Sequence, residues 1–306
     1  MRNPGTQMAA RLRALPWLAL LVGAISVLAI GCGGDDDDAD ADGDSRTPIP
    51  APSFTVESTM GRLATEGKLT IGVKFDQPGF GFKDPITGKV DGFDVALAEE
   101  IGRALGLEED QLVFVEAVSA RRVELLQSDA VDLVIATMTI TEERRKSVDF
   151  SRPYYVAGQS ILVREETDDI DEADDLDGRK VCTVKGSTSA TNLEKAAAQA
   201  ELVLLETYAD CVAELKDGRV EAVSTDASIL LQFVARDATL KLVGEAFSEE
   251  PYGIGVKQGR DDLVAFVNTV LANMLEDGRW DAIYDEYVGS VPGLPDAEGA
   301  RGRPPE

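Results

Sequence analysis

Val134-Ile-Ala-Thr-Met-Thr-Ile-Thr-Glu-Glu-Arg-Arg-Lys-Ser-Val-Asp-Phe-Ser-Arg-Pro-Tyr-Tyr155 is the stretch on which the reading of this chain turns. The apolar run from Val131 to Ala136 predicts a buried strand. It runs out into the hydroxyl residues Thr137, Thr139 and Thr141, and Thr141-Glu-Glu-Arg144 reads as an N-cap opening a short helix. Hydroxyls, free backbone N–H groups and an arginine at the carboxyl end of a strand make a site for a carboxylate. Arg144 offers a planar fork that matches a carboxylate in two hydrogen bonds, which lysine cannot reproduce. On spacing alone, an ion pair from Arg144 to Glu142 or Glu143 competes with that reading.

Outward from this segment, short β-branched runs alternate with amphipathic helices. Leu69–Val73 reads as a strand; Asp94 then caps a helix with Val95, Ala98, Ile101 and Leu105 at helical spacing. Strands are expected at Leu112–Val115, Ser160–Val163, Lys180–Val184, Leu202–Leu205, Val220–Ser224 and Ile254–Val256. Helices are expected at Arg122–Gln127, about Asn192 to Ala200, Ala209–Leu215, a long one from Leu263 to Leu275, and a last one carrying Trp280, Ile283, Tyr284 and Tyr287. This rhythm is that of an α/β fold with largely parallel sheets, either one doubly wound sheet or two smaller ones.

Composition narrows the chemistry. The 306 residues are 44% hydrophobic and 28% charged, as in a globular chain able to bury a core. The 56 acidic against 30 basic side chains give a net charge of −26, which repels phosphate backbones, so nucleic acid is not expected as a partner. The count of histidines is 0, which excludes Ser-His-Asp and Cys-His pairs and histidine-bearing zinc sites. No metal site and no cofactor is expected.

At the N-terminus, Arg2, Arg11 and Arg13 precede an uncharged apolar run from Ala14 to Ile30, followed by Gly31-Cys32. Leu28-Ala29-Ile30-Gly31-Cys32 resembles a bacterial lipoprotein signal, with Ala29 in place of the usual leucine. The resemblance implies a signal peptide over residues 1–31, lipidation of Cys32, and a membrane-anchored, extracytoplasmic protein on the periplasmic side or outer face. Loss of the three arginines takes the net charge from −26 to −29. An uncleaved membrane anchor is the alternative, and both export the remainder. Residues 32–58, with Asp35 to Asp38, Asp40, Asp42, Asp44, Pro48, Pro50 and Pro52, read as a disordered acidic tether, and 291–306 as a frayed tail. In an exported chain the two remaining thiols, Cys182 and Cys211, most simply pair, closing a loop of about 28 residues; alternatively both are small buried apolar residues that never meet.

Over Lys68 to Gly289 the chain resembles the family-3 extracellular solute-binding proteins of polar amino-acid ABC transporters. The motifs are Gly92-Phe-Asp-Val-Ala-Leu-Ala-Glu-Glu-Ile101, Thr139-Ile-Thr-Glu-Glu-Arg144 with Val148-Asp-Phe-Ser-Arg-Pro-Tyr154, Val184-Lys-Gly-Ser-Thr-Ser189, Ser224-Thr-Asp226 and Tyr252-Gly-Ile-Gly255. Ala96 departs from the family's usual acidic residue. Ile71-Gly-Val-Lys-Phe-Asp-Gln-Pro-Gly79 and the segments bearing Cys182 and Cys211 look like the glutamate-binding branch.

The resemblance implies an α/β, two-lobed periplasmic-binding-protein fold of type II, with the ligand in the interlobe cleft and two crossover hinge strands. The solute-binding domain would span 59–290, with lobe one at about 60–157 and 252–289 and lobe two at about 159–250. Carried over onto this chain, Arg144 and Thr139 hold an α-carboxylate, Thr137 presents backbone groups beside them, and Asp226 takes the α-ammonium unless it merely caps the next helix. Thr188 and Ser189 supply hydroxyls and N–H groups from lobe two. Lys74, then Lys185, is the cation for a second carboxylate, and Phe75 walls the pocket or belongs to the core. The expected function is capture of an amino acid, glutamate first, and its delivery by a monomer to a membrane ABC permease. Glutamine or aspartate binding, presentation to a membrane sensor, and a dehydratase on the same fold are the alternatives; no enzyme activity is expected.

Overall fold

The protein, described here over residues 52–301 by a computed structural model, places its strands in two five-stranded sheets and one three-stranded sheet. In chain order the strands are β1 (Leu69–Val73), β2 (Asp76–Gln77), β3 (Gly81–Lys83), β4 (Val90–Asp91), β5 (Leu112–Glu116), β6 (Leu133–Val134), β7 (Val148–Ala157), β8 (Gln159–Arg164), β9 (Lys180–Val184), β10 (Glu201–Leu205), β11 (Ala222–Asp226), β12 (Leu240–Val243) and β13 (Glu250–Lys257). The sheet orders are β5-β1-β6-β13-β7 for lobe one, β10-β9-β11-β8-β12 for lobe two, and β2-β3-β4 for a small antiparallel sheet between β1 and the helix Phe93–Ala104.

Each large sheet contains one strand that opposes the rest. In lobe one β13 is antiparallel to both its neighbours, β6 and β7, while β1, β5 and β6 run together. In lobe two the opposing strand is β8, antiparallel to β11 and β12. The cause is the path of the chain. β7 leaves lobe one through Gly158 and becomes β8, and after β12 the chain returns as β13. A strand entering a lobe starts at the cleft and runs away from it, against the strands whose carboxyl ends point to the cleft. The carboxyl ends of β1, β6, β9 and β11 therefore face the neighbouring lobe, where open α/β sheets bind ligands. The two crossovers also pair with each other, with Ala157 opposite Glu250 and Val156 opposite Pro251.

Packing fixes both crossovers to lobe one. Tyr154 and Tyr155 of β7 and Tyr252 of β13 join Phe80, Phe93, Trp280 and Tyr284 in one aromatic cluster. Trp280 and Tyr284 stack at 5.2 Å, and the Trp280 indole N–H donates to the Tyr154 carbonyl at 3.0 Å. The helix Asp261–Asp277 buries Leu263, Val267, Val270, Leu271 and Met274, the expected apolar stripe, and ends at Gly278, whose φ of 82° suits glycine. In lobe two, Cys182 of β9 and Cys211 of the helix Tyr208–Lys216 are disulfide-bonded.

Several expectations are corrected. The strand expected over Val131–Ala136 is shorter, Leu133–Val134, flanked by the Asp132 and Ile135 N–H groups that donate to the Thr70 and Gly72 carbonyls of β1, and the turn at Thr137, where φ is 45°, keeps it from running further. Asp94 does not cap its helix: the cap position is Gly92, and the Asp94 carboxyl is buried. The helix expected from Asn192 starts at Thr188, capped by Ser187, whose Oγ accepts the Ala190 N–H at 3.1 Å. The end of the tether is not free, since Phe54 packs edge-on against Phe266 at 5.6 Å. Nor does the tail fray over its described part. Ala297–Ala300 is helical with Ala300 fully buried, and the Tyr284 hydroxyl donates to the Pro295 carbonyl. The signal peptide, Cys32, most of the tether and residues 302–306 lie outside the described residues.

Candidate functional site

Lobe one builds its side of the cleft from the loop after β6. Thr141 caps the helix Glu142–Arg145, its Oγ1 accepting the Arg144 N–H at 3.2 Å. This turns the Arg144 guanidinium back over the loop, where Nη1 donates to the Thr139 carbonyl at 2.6 Å and Nη2 to the Gly186 carbonyl of lobe two at 3.3 Å. Arg144 makes no ion pair with its acidic neighbours. Glu142 pairs with Arg145 at 4.0 Å and Glu143 with Lys146 at 2.6 Å. A guanidinium carries five N–H donors, so donors remain for a carboxylate. Burial lowers the Arg144 pKa, opposed by the charge of Glu250.

Beneath this loop lie two further cations. Lys74, at the carboxyl end of β1, is 1% exposed and donates to the Ser119 Oγ at 2.9 Å. Burial brings its pKa down to about 8, partly offset by Asp76. Arg122 is 2% exposed and donates through Nη1 to the carbonyls of Ala136 at 2.8 Å and Thr137 at 3.3 Å. Burial lowers its pKa too, with the nearby Arg144 charge acting in the same direction.

Lobe two answers with the Gly186-Ser-Thr-Ser189 turn and the end of β11. Gly186 has φ 73°, and a Cβ there would lie 2.7 Å from the Ala120 Cα of lobe one, so only glycine fits. The Thr188 and Thr139 hydroxyls meet across the cleft at 3.2 Å. Asp226 sits at the cap position of the helix Ala227–Val234 but makes no side-chain cap bond. Its Oδ2 instead accepts the hydroxyl of Tyr252 from lobe one, and its Oδ1 is buried with no hydrogen-bond partner. Burial raises the Asp226 pKa to about 7; the Glu250 charge adds to this and the Tyr252 hydrogen bond opposes it. The Glu250 Oε2 is also buried and unpartnered, while its Oε1 accepts from Asn192 at 2.7 Å and Ser248 at 2.8 Å.

Of the expected residues, Thr139, Arg144, Thr188 and Asp226 form one connected group, because Thr139 also bridges to Tyr252. Lys74 lies in the basic cluster below it. Thr137 has no spare N–H to present, since that group donates to Asp94 Oδ2 at 2.9 Å. Ser189 turns into lobe two, its hydroxyl donating to Thr225 Oγ1 at 3.2 Å. Phe75 is half-buried, packed on the core with the Lys83 ammonium 5.0 Å from its ring centroid. Lys185 is exposed and makes no ion pair among the described residues. Arg122, Ser119, Tyr252 and Glu250 were not expected. Tyr252 stands in a quoted family motif, whereas Arg122 carried only a helical signal.

Two α/β lobes joined by paired crossovers, with charged groups from both lobes meeting in the cleft, define a type II binding protein. Residues 69–290 match the family model for bacterial extracellular solute-binding proteins, family 3, and the chain belongs to that family. It is similar to the ABC transporter glutamine-binding protein GlnH of Bacillus subtilis, 39% identical over 237 residues, or 77% of this chain and 86% of that protein. It is also similar to the glutamate-binding protein GluB of Corynebacterium efficiens, 35% identical over 234 residues, or 73% and 79% of the two chains. Among solved structures, an ancestral arginine-binding protein bound to glutamine is 43% identical with a TM-score of 0.68, covering 72% of this chain and 97% of that one.

Proposed function

We propose that the cleft captures a dicarboxylic amino acid, glutamate first, and that the protein, held to the membrane by lipid on Cys32, delivers it to an ABC permease. The observation that carries this reading is the pairing of opposites across the cleft. Arg144 keeps donors for an α-carboxylate, and Asp226 has a buried, unpartnered oxygen for an α-ammonium. Thr139 and Thr188 flank the same position from the two lobes. Lys74 and Arg122 then supply buried positive charge for a second carboxylate, with Lys74 the first choice. Thr137, Ser189, Phe75 and Lys185 are assigned supporting roles at most.

Contacts to both lobes are what allow a ligand to favour the closed form. A micromolar dissociation constant corresponds to about −8 kcal/mol, a reasonable yield for two charge-paired ends. Glutamine is the second reading, favoured by the names of GlnH and of the ancestral structure bound to glutamine. Isothermal titration of the purified protein with glutamate, aspartate, glutamine, arginine and cystine tests the reading, with recovery of unaltered ligand testing binding against turnover. Glutamate binding at least tenfold tighter than glutamine is expected; preference for a neutral or basic amino acid would sink the acidic assignment.

A further inference from the structure

Thr137 and Asp129 are the two non-glycine residues with positive φ among those described, at 45° and 57°. A β-branched residue in the left-handed region is strained and persists only where its surroundings hold it. Around Thr137 they do so from three directions. Asp94 Oδ2 accepts its N–H at 2.9 Å, Arg122 Nη1 donates to its carbonyl at 3.3 Å, and its hydroxyl, which donates one hydrogen, lies between the Ala136 carbonyl at 2.9 Å and the Gln77 side-chain amide at 3.0 Å.

The turn sets the path of the binding loop. Past Thr137 the chain leaves β6, the Met138 carbonyl accepts the Gly253 N–H of β13 at 2.9 Å, and Thr139 bridges to Tyr252. The Thr139 carbonyl then receives Arg144. The other oxygen of Asp94, Oδ1, accepts the Tyr154 hydroxyl at 2.8 Å, and Tyr154 lies on β7, the strand that leaves for lobe two. One fully buried carboxyl thus bonds both the binding loop and the outgoing crossover.

We infer that Asp94 is a positioning residue for ligand capture. It holds Thr137 in its left-handed turn and registers the loop to the crossover strand, so that Thr139 and Arg144 meet lobe two in place. It touches no ligand, and the inference rests on the amino-acid-binding reading above.

The test is titration of the preferred amino acid into the purified protein and into Asp94→Ala, Asp94→Asn and the double variant Asp94→Ala/Thr137→Gly, with thermal melting in parallel. Asp94→Ala is expected to weaken binding about tenfold or more, and Asp94→Asn less, since asparagine keeps one acceptor. Glycine adopts positive φ unaided, so the double variant should bind more tightly than Asp94→Ala although it lacks one more side chain. A folded Asp94→Ala protein with a lowered melting temperature and unchanged affinity, or a double variant no tighter than Asp94→Ala, would overturn the inference. If the alanine variants do not fold, Asp94→Asn decides: weakened binding supports the positioning role, and wild-type affinity rejects it. Failure of the wild-type protein to bind any amino acid would instead reject the functional reading.

Discussion

Arg144 of lobe one donates across the cleft to the Gly186 carbonyl of lobe two at 3.3 Å while its other terminal nitrogen holds the Thr139 carbonyl at 2.6 Å. The same guanidinium therefore shapes its own loop and touches the opposite lobe. Arg144→Ala is expected to weaken amino-acid binding by about 100-fold or more, the scale of a lost charge-assisted pair of hydrogen bonds. Arg144→Lys should restore little, because a point charge lacks the fork. Titration calorimetry checks both; wild-type affinity in the lysine variant would remove the bidentate role.

Lys74→Met separates selectivity from stability. Removing the ammonium should cost glutamate about tenfold in affinity and glutamine much less, as expected for a cation facing the ligand side chain. The folded pKa of Lys74 lies below the ordinary lysine value, at about 8, so its charge costs stability at neutral pH, and that cost is relieved as pH rises through roughly 8 to 10.5. The methionine variant should thus be as stable as wild type or more so at pH 7, read by urea unfolding. Equal losses for both ligands would place Lys74 outside the side-chain pocket.

Buried carboxyls set the response to acid. Asp226 and Asp94 both have folded pKa values raised to about 7 by burial. Between about pH 4 and 7 the folded chain binds more protons than the unfolded one, so without ligand these two groups make stability fall as pH rises through that window. Binding runs the opposite way. An ammonium needs Asp226 ionised, so the dissociation constant should weaken as pH drops from about 7 to 5, by up to about tenfold per unit. Titrations at several pH values check this, with Asp226→Asn expected to bind weakly and with a flatter profile. A wild-type affinity that stays level over the range would remove Asp226 from the ammonium site.

Breaking the Cys182–Cys211 bond, by reduction or by replacing both residues with serine, should lower unfolding stability by about 3.5 kcal/mol, as for a loop of this length. Amino-acid binding should survive at 25 °C, since the bond lies within lobe two. Loss of binding in a protein that remains folded would tie the disulfide to the cleft instead.

Deleting residues 292–306 should lower stability by about 1–3 kcal/mol, because Ala300 is fully buried and the Arg301–Asp281 ion pair would be lost. Chemical unfolding of the truncated protein measures it. Unchanged stability would mean that the tail adds nothing to the body.

The parts of this architecture that were legible in the sequence are those set by local pattern. The apolar run at Leu69–Val73, the stripe from Leu263 to Met274 and the Thr141 cap follow from spacing and residue type. The joining of Arg144, Thr139, Thr188 and Asp226 followed from motif resemblance, since no periodicity brings residues so far apart in the chain together. What escaped was tertiary. Asp94 has the chemistry of a helix cap but stands inside the first turn, past the cap position Gly92, where Thr137 and Tyr154 make it a buried acceptor. Arg122 only opens a short helix in the sequence, and its part in the site comes from the Ala136 and Thr137 carbonyls that accept its guanidinium. The tail looked unable to order because its anchor, the Tyr284 hydroxyl, is supplied by the preceding helix rather than by the tail itself.

The pairing of Ala157 with Glu250 gives the second lobe the topology of a cassette. Its first and last residues lie on neighbouring strands, about 5 Å apart as opposed residues in an antiparallel ladder are. A chain cut at both points could be rejoined by a short turn without moving β7 or β13. Along the chain, lobe two is thus joined to lobe one at a single place, and a different cassette with adjacent ends would fit the same joint, keeping the Arg144 loop of lobe one and changing only what faces it.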